Sequence, residues 1–355
     1  MKKSLFVKLL ALVMALVAVT ALAGCGASQQ TANGAAATGS YEIRISACNS
    51  LDHPQTLGLD VMKQYIESET QGKVKVSIYP NSQLGAEVES VEQVKNGTLE
   101  MATASAGPLT TFQKKFEVLD IPFLFDNYEQ AWAAFDSKIG TDLMKSLEEV
   151  GLKGLAYMEN GFRHVTNNIK PINTIEDFKG LKIRTMQAPM HMANFTALGA
   201  NPTPVPWSEL YMAMSQKIVD GQENPLANIW ELKMNEVQKY VSLTGHIYDA
   251  MPLVTNLKWF NGLPADYQRI IEKGAILGQN YSRFINANRE ALLAAKLTEK
   301  GMAVNSLKQE DLDAIKAVSQ PVVADKVKAE IGTEFVDAFL AGIKTVKADT
   351  VKSVE

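Results

Sequence analysis

Arg184, Trp207 and Asn224 fall within one stretch of the chain, Leu181 to Asn228, and supply a planar cation, a large ring and a carboxamide. That set suits a small, flat, anionic ligand. A guanidinium makes two parallel N–H···O bonds to one carboxylate, a geometry that lysine cannot copy. Arg184 stands in a run where Leu181 and Ile183 alternate with Lys182 and Arg184, the period of a half-buried strand. Pro202, Pro204 and Pro206 stiffen an extended segment that delivers Trp207 to the start of a helix. Ser208 is placed to cap that helix, with Leu210, Met214 and Ile218 as its core stripe, and Gln222 to Pro225 reads as a polar turn. Taken singly, an ion-paired arginine, a packed tryptophan and an ordinary turn account for the same residues.

Other polar residues sit at strand ends and helix starts. His53 precedes Pro54 at a helix N-terminus, where it either caps the helix or faces a cleft alongside unpaired N–H groups. Glu87 opens a second helix, where it complements the helix dipole or accepts hydrogen bonds from ligand hydroxyls. Asn49 and Ser105 follow strands and are weaker candidates of the same kind. Catalysis is poorly served. His53, His164, His191 and His246 are scattered, with no HExxH pair, GxSxG elbow, P-loop or GxGxxG fingerprint. Met186, Met190 and Met192 fit helix packing better than a copper site, so neither metal nor cofactor is expected.

These residues need a scaffold, and its outline is legible. Tyr41 to Ala47 alternates as a strand, His53 to Gly72 holds a helix, and Lys73 to Tyr79 is the cleanest strand in the chain. A helix near Glu87 to Asn96 and a strand at Leu99 to Thr103 complete a β-α-β-α-β start, which argues for a parallel sheet covered by helices. Val118 to Phe125 reads as a buried connection, Tyr128 to Val150 as a helix and Leu152 to Met158 as a strand. From Pro264 to about Met302 only Gly274 and Gly278 interrupt a helical pattern. At ~1.5 Å per residue such a helix runs roughly 50 Å, so it bridges two domains, protrudes, or kinks at those glycines. Helices near Glu310 to Val318 and Glu334 to Val346 close the chain.

The 355 residues suffice for two domains, and Lys+Arg 35 against Asp+Glu 39 gives no electrostatic reason to expect nucleic acid as a partner. Residues 1–25 read as a lipoprotein signal peptide: Lys2, Lys3 and Lys8, then an apolar run, then Leu22-Ala23-Gly24-Cys25 as a lipobox ending at a lipidated Cys25. Residues 26–40, rich in Ala, Gly, Ser, Gln and Thr, are a flexible tether. Location is therefore extracytoplasmic, held to a membrane surface by lipid, in the periplasm or on the outer face of the plasma membrane. Cys48 is left as a lone thiol, without a disulfide framework.

Four strings in the same order, YPNSQLG at Tyr79 to Gly85, DIPFLF at Asp120 to Phe125, GLKIR at Gly180 to Arg184 and VDGQENP at Val219 to Pro225, carry a family resemblance. From Tyr41 to the C-terminus the chain is similar to the DctP-type substrate-binding proteins of tripartite ATP-independent periplasmic (TRAP) transporters. The resemblance implies a periplasmic-binding-protein-like fold: two α/β domains with interleaved chain crossings around a ligand cleft, joined by a long bridging helix. The expected division is 41–158 plus about 245–290 for domain I and 159–244 plus about 291–355 for domain II. It implies that Arg184 binds a ligand carboxylate bidentately, that Asn224 bonds the same group, that Trp207 covers the carbon skeleton, and that Arg163 is a second basic contact. A structural ion pair is the alternative for Arg163. Ala104-Ser105 stands where sialic-acid binders carry an acidic residue, which argues against that ligand. The implied protein is a non-catalytic monomer that hands an organic acid, a uronate or aldonate before a plain acid, to transporter membrane components. The alternatives are a binding protein for an ATP-driven importer or chemoreceptor, and a secreted hydrolase or lyase using Glu87 and His53.

Overall fold

In the computed structural model, which describes residues 40–352, the alternation of Tyr41 to Ala47 becomes strand β1 (Tyr41–Ser46), with Ile43 and Ile45 buried. Helix α1 (Pro54–Glu69), β2 (Val74–Tyr79), α2 (Glu87–Lys95) and β3 (Met101–Thr103) follow. β1 pairs in parallel with both β2 and β3, as crossover helices require. After the short α3 (Ala106–Leu109), residues Lys114–Asp120 form a 3-10 turn within the buried connection. The helix expected over Tyr128 to Val150 is broken: α4 (Tyr128–Asp136) stops at Ser137, whose side chain accepts from Ile139 N to start α5 (Lys138–Lys145).

The sheet turns on two long strands, one that extends the strand read at Leu152 to Met158 and one that the sequence pattern did not mark. β4 (Leu152–Asn167) continues past Met158 for nine more residues to pair antiparallel along β8 (Tyr240–Asn256). Between them lie β5 (Lys182–Thr185), α6 (Pro189–Ala197), β6 (Asn201–Pro204), α7 (Leu210–Ser215), β7 (Gly221–Asn224) and α8 (Leu226–Glu231). Strand order is β2-β1-β3-β8-β4-β7-β5-β6, and β9 (Ala303–Ser306) also pairs with β8. β3 borders the later part of β8, whereas β7 borders the later part of β4. One antiparallel ribbon thus runs through two lobes and carries a different set of short strands at each end. Pro202 and Pro204 sit on edge strand β6, where a missing N–H costs no ladder bond. Three local expectations differ. Ser208 lies in a 3-10 turn and caps nothing, Ile218 lies beyond α7 and is exposed, and the supposed polar turn is β7 itself, fully buried.

After α9 (Leu257–Asn261), α10 (Ala265–Glu299) is one continuous 35-residue helix. Its Ile271 and Ala275 join the core beneath β1 and α1, while Leu293 and Leu297 join the core around α7 and α8, so it bridges the lobes. Gly274 and Gly278 are points of close approach instead of kinks. A Cβ on Gly278 would stand 2.5 Å from the carbonyl oxygen of Gly58 on α1. The last helices are α11 (Gln309–Ile331) and α12 (Thr333–Lys352). Leu312 and Ile315 pack with second-lobe Phe178 and Ile183, but Val323, Val327, Val336, Phe339 and Ile343 pack with Val91, Phe116 and Phe135. The apolar faces of α12 and the later part of α11 thus share one core with first-lobe residues and with Met190 and Ala193 of α6. Residues 40–352 lie within a single compact unit. The signal peptide, the lipidated Cys25 and all of the tether but Ser40 lie outside the described residues. Among those described, no helix is long and apolar enough to cross a membrane.

Candidate ligand-binding site

Arg184 is carried by β5 next to the buried β7, so its guanidinium is drawn into the interior and is only 1% exposed. Its Nε donates to the carbonyl oxygen of Val205 at 2.7 Å. Neither Nη group has a hydrogen-bond partner, and Arg184 forms no ion pair among the described residues. Burial, then repulsion from Arg163, pulls its pKa down to about 10. A charged group so placed is a strong demand for an anion.

Arg163 is the opposite case. It is fully buried on β4, donates from Nε and Nη2 to the carboxylate of Glu223, and pairs through Nη1 with Asp249 at 2.6 Å. Burial opposes its charge, but Glu223 and Asp249 outweigh that and raise its pKa. Both acids hydrogen-bond the Arg163 guanidinium, whereas no carboxylate forms an ion pair with Arg184 among the described residues.

The guanidinium of Arg184 borders a small cavity of about 10 Å³. Six of the eight residues singled out in the sequence line it: Arg184, Asn224, Trp207, Glu87, Asn49 and Ser105. Arg163 and His53 do not. His53 caps α1, its Nδ1 accepting from Gln55 N at 3.2 Å, and its Nε2 faces Asn228 Oδ1 at 3.4 Å. Burial holds its pKa near about 3, so the ring is neutral with the proton on Nε2.

The other polar groups are oriented by their neighbours. Asn224 Nδ2 donates to Gln222 Oε1, Gln222 Nε2 to Thr166 Oγ1 at 2.9 Å, and Thr166 Oγ1 to Gln238 Oε1 at 3.0 Å. Gln238 Nε2 ends the chain on the Val237 carbonyl at 3.0 Å. Because a carbonyl only accepts, the direction is set throughout, and Asn224 keeps one N–H and its oxygen for other partners. Glu87 Oε1 accepts from Ser105 N at 2.7 Å, which ties α2 to the end of β3, and burial raises its pKa. Trp207 packs against the cores of both lobes, so its ring lies across their junction.

The sequence reading missed Asn160, Asn228, Met186 and Met251, which also line the cavity. Asn228 lies on α8, which starts directly after the strand β7 that ends at Asn224. Asn160 had no local signal, since it sits at a register shift between Glu159 and Gly161 inside a strand whose continuation was not foreseen.

Two lobes sharing a pair of long strands about such a cavity define a periplasmic solute-binding protein. Residues 45–330 match the bacterial extracellular solute-binding protein family 7, DctP, and the chain belongs to that family of TRAP-type binding proteins, which works outside the cytoplasm. It is 36% identical over 262 residues to the 2,3-diketo-L-gulonate-binding periplasmic protein of Escherichia coli, covering 74% of this chain and 80% of that one. The C4-dicarboxylate-binding periplasmic protein of Rhodobacter capsulatus is 34% identical over 305 residues, 84% of this chain and 90% of that one. The crystal structure of a sugar acid binding protein from Advenella mimigardefordensis in complex with galactonate superposes with a TM-score of 0.84. It is 32% identical, with 87% of this chain and 99% of that chain covered.

Proposed function

We propose that this protein captures a monocarboxylate sugar acid, a uronate or aldonate, and delivers it to the membrane components of a TRAP transporter. The observation that carries the reading is Arg184: a buried guanidinium on the cavity wall with both Nη groups unpartnered. It is the anchor for the ligand carboxylate, Asn224 adds its remaining N–H, and Trp207 covers the C–H face of the sugar. Glu87, Asn49 and Ser105 complete a polar lining suited to ligand hydroxyls. The sugar-acid names of the Escherichia coli and Advenella relatives support this class. A C4-dicarboxylate is the second reading, favoured by the Rhodobacter relative. It needs a second cation at the cavity, and Arg163 is already committed to Glu223 and Asp249.

Calorimetry on refolded, ligand-stripped protein tests the class. Heats are expected from uronates or aldonates. Tight binding of succinate with no heat from any uronate or aldonate overturns it. We further propose that the protein acts as a monomer, that its two lobes close on the ligand about β4 and β8, and that Cys25 carries lipid. Acyl labelling that persists in Cys25→Ala would refute the anchor.

A further inference from the structure

Building on the sugar-acid reading, we infer that Asn160 is a specificity residue, whose side-chain oxygen accepts a hydrogen bond from a ligand hydroxyl. Asn160 is 2% exposed and lines the cavity. Its Nδ2 donates to Asp249 Oδ2 at 2.7 Å. The same carboxylate oxygen is held by Arg163 Nη1 at 2.6 Å. A carboxylate paired with a guanidinium offers acceptors only, so the amide nitrogen must face Asp249 and the amide oxygen must not. That oxygen, Oδ1, is buried and without a hydrogen-bond partner among the described residues.

A buried acceptor of fixed orientation selects for a donor. Carboxylates and ketones bring none; a hydroxyl brings one and still accepts from elsewhere. The cavity then divides its work. Arg184 takes the acid group common to every candidate ligand, and Asn160 distinguishes hydroxylated acids from acids that lack a hydroxyl. Arg163, in turn, is a positioning residue. It does not line the cavity, but through Asp249 it sets which way the Asn160 amide faces.

The test is calorimetry on the full mature chain, with D-galactonate, L-gulonate, D-galacturonate and D-erythronate as hydroxylated probes and hexanoate and succinate as probes without hydroxyls. Asn160→Ala is compared with wild type, and a cooperative ligand-free melt establishes that it is folded. Asn160→Ser, which keeps a small acceptor, is the second variant should Asn160→Ala not fold. The expected result is a loss of roughly 5- to 150-fold for the hydroxylated probes, the range for one buried acceptor and its donor, with little change for hexanoate and succinate. Asn160→Ser should fall between the two. Equal affinity of the folded variant and wild type for every hydroxylated probe overturns the inference and leaves the sugar-acid reading standing. An equal loss across all probes also overturns it, because the residue would then be merely structural. A wild-type protein that binds succinate but none of the four hydroxylated acids overturns both.

Discussion

Arg184 and Val205 are joined by a single hydrogen bond, Nε to carbonyl oxygen at 2.7 Å, and it fixes the guanidinium while leaving its other end unpaired. Two consequences separate ligand binding from stability. On the proposed reading Arg184 holds the ligand carboxylate bidentately, so Arg184→Lys and Arg184→Ala should lose about 3 kcal/mol or more, an affinity fall of at least about 100-fold by calorimetry. Ligand-free stability should move the other way. Burial lowers the arginine pKa to about 10 from its usual 12.5, so the charged form opposes folding by roughly 3 kcal/mol at neutral pH. Arg184→Met should raise the ligand-free urea midpoint. A lower midpoint would mean that the guanidinium is satisfied in a way this geometry does not provide.

Behind Arg163 the buried charges continue, and they give stability a pH dependence. His191 Nε2 lies 3.2 Å from Asp120 Oδ1, and its Nδ1 lies 3.5 Å from Glu223 Oε1. Burial opposes its charge, but Asp120 and Glu223 raise its pKa to about 9. A raised folded-state pKa contributes stability in full below the unfolded value near 6.5, and that contribution is lost as pH rises through about 9. Between those limits the loss amounts to about 3 kcal/mol. His246, also against Glu223, has a lowered pKa, so its contribution is lost on the acid side, below this window. Urea unfolding at steps from pH 7 to 9.5 should show wild-type stability falling, and His191→Gln should flatten the profile. A flat wild-type profile would contradict the charged pair.

Much of this was legible in the sequence, for identifiable reasons. Short-period alternation marked β1, β2 and β5 because each has core on one side, and the proline and glycine punctuation marked the start and end of α10. The family resemblance singled out Arg184, Trp207 and Asn224, and positions after strands or at a helix start singled out Asn49, Ser105 and Glu87; all six line the cavity. Local rules failed where long-range pairing decides. β4 beyond Met158 reads Glu159-Asn160-Gly161-Phe162-Arg163-His164, a run too polar and irregular to look like a strand. It is held as one by β8, about ninety residues away, through register shifts that no local pattern encodes. Asn160 was lost with it. Arg163 was found as a basic residue, but its neutralisation by Asp249 depends on the same unseen pairing.

The crossing of α1 and α10 has its own signature. A Cβ on Gly58 would stand 2.4 Å from the carbonyl oxygen of Gly278, and the reciprocal approach is 2.5 Å. Both clashes are with backbone, so no side-chain rotation relieves them. Gly58→Ala or Gly278→Ala should therefore push the helices apart and cost about 3 kcal/mol or more, despite the better helix propensity of alanine. Chemical denaturation checks this, and a neutral or stabilising substitution at either position would show that the contact is looser than described.

The lobes are interleaved through β4 and β8, so neither half should fold alone. A single cut near Met158 separates β4 into two pieces and removes β8 from the N-terminal part. In the intact protein β3 pairs with β8 at Met101↔Thr255, Ala102↔Val254 and Thr103↔Leu253. Without β8 the strands β1, β2 and β3 keep one another but lose the central ribbon. Ile271 and Ala275 of α10 are lost as well, along with Phe339 and Ile343 of α12, which share cores with first-lobe residues. Uncovering side chains of this size costs about 1.5–3 kcal/mol each, and a few of them equal the whole stability of an ordinary domain. A fragment spanning Tyr41 to Met158 should accordingly show no cooperative thermal transition by circular dichroism. Adding residues 240–352 as a second chain should restore one, if the two segments recombine. A sharp melt for the isolated fragment would mean that its own core suffices and that the lobes are not interdependent.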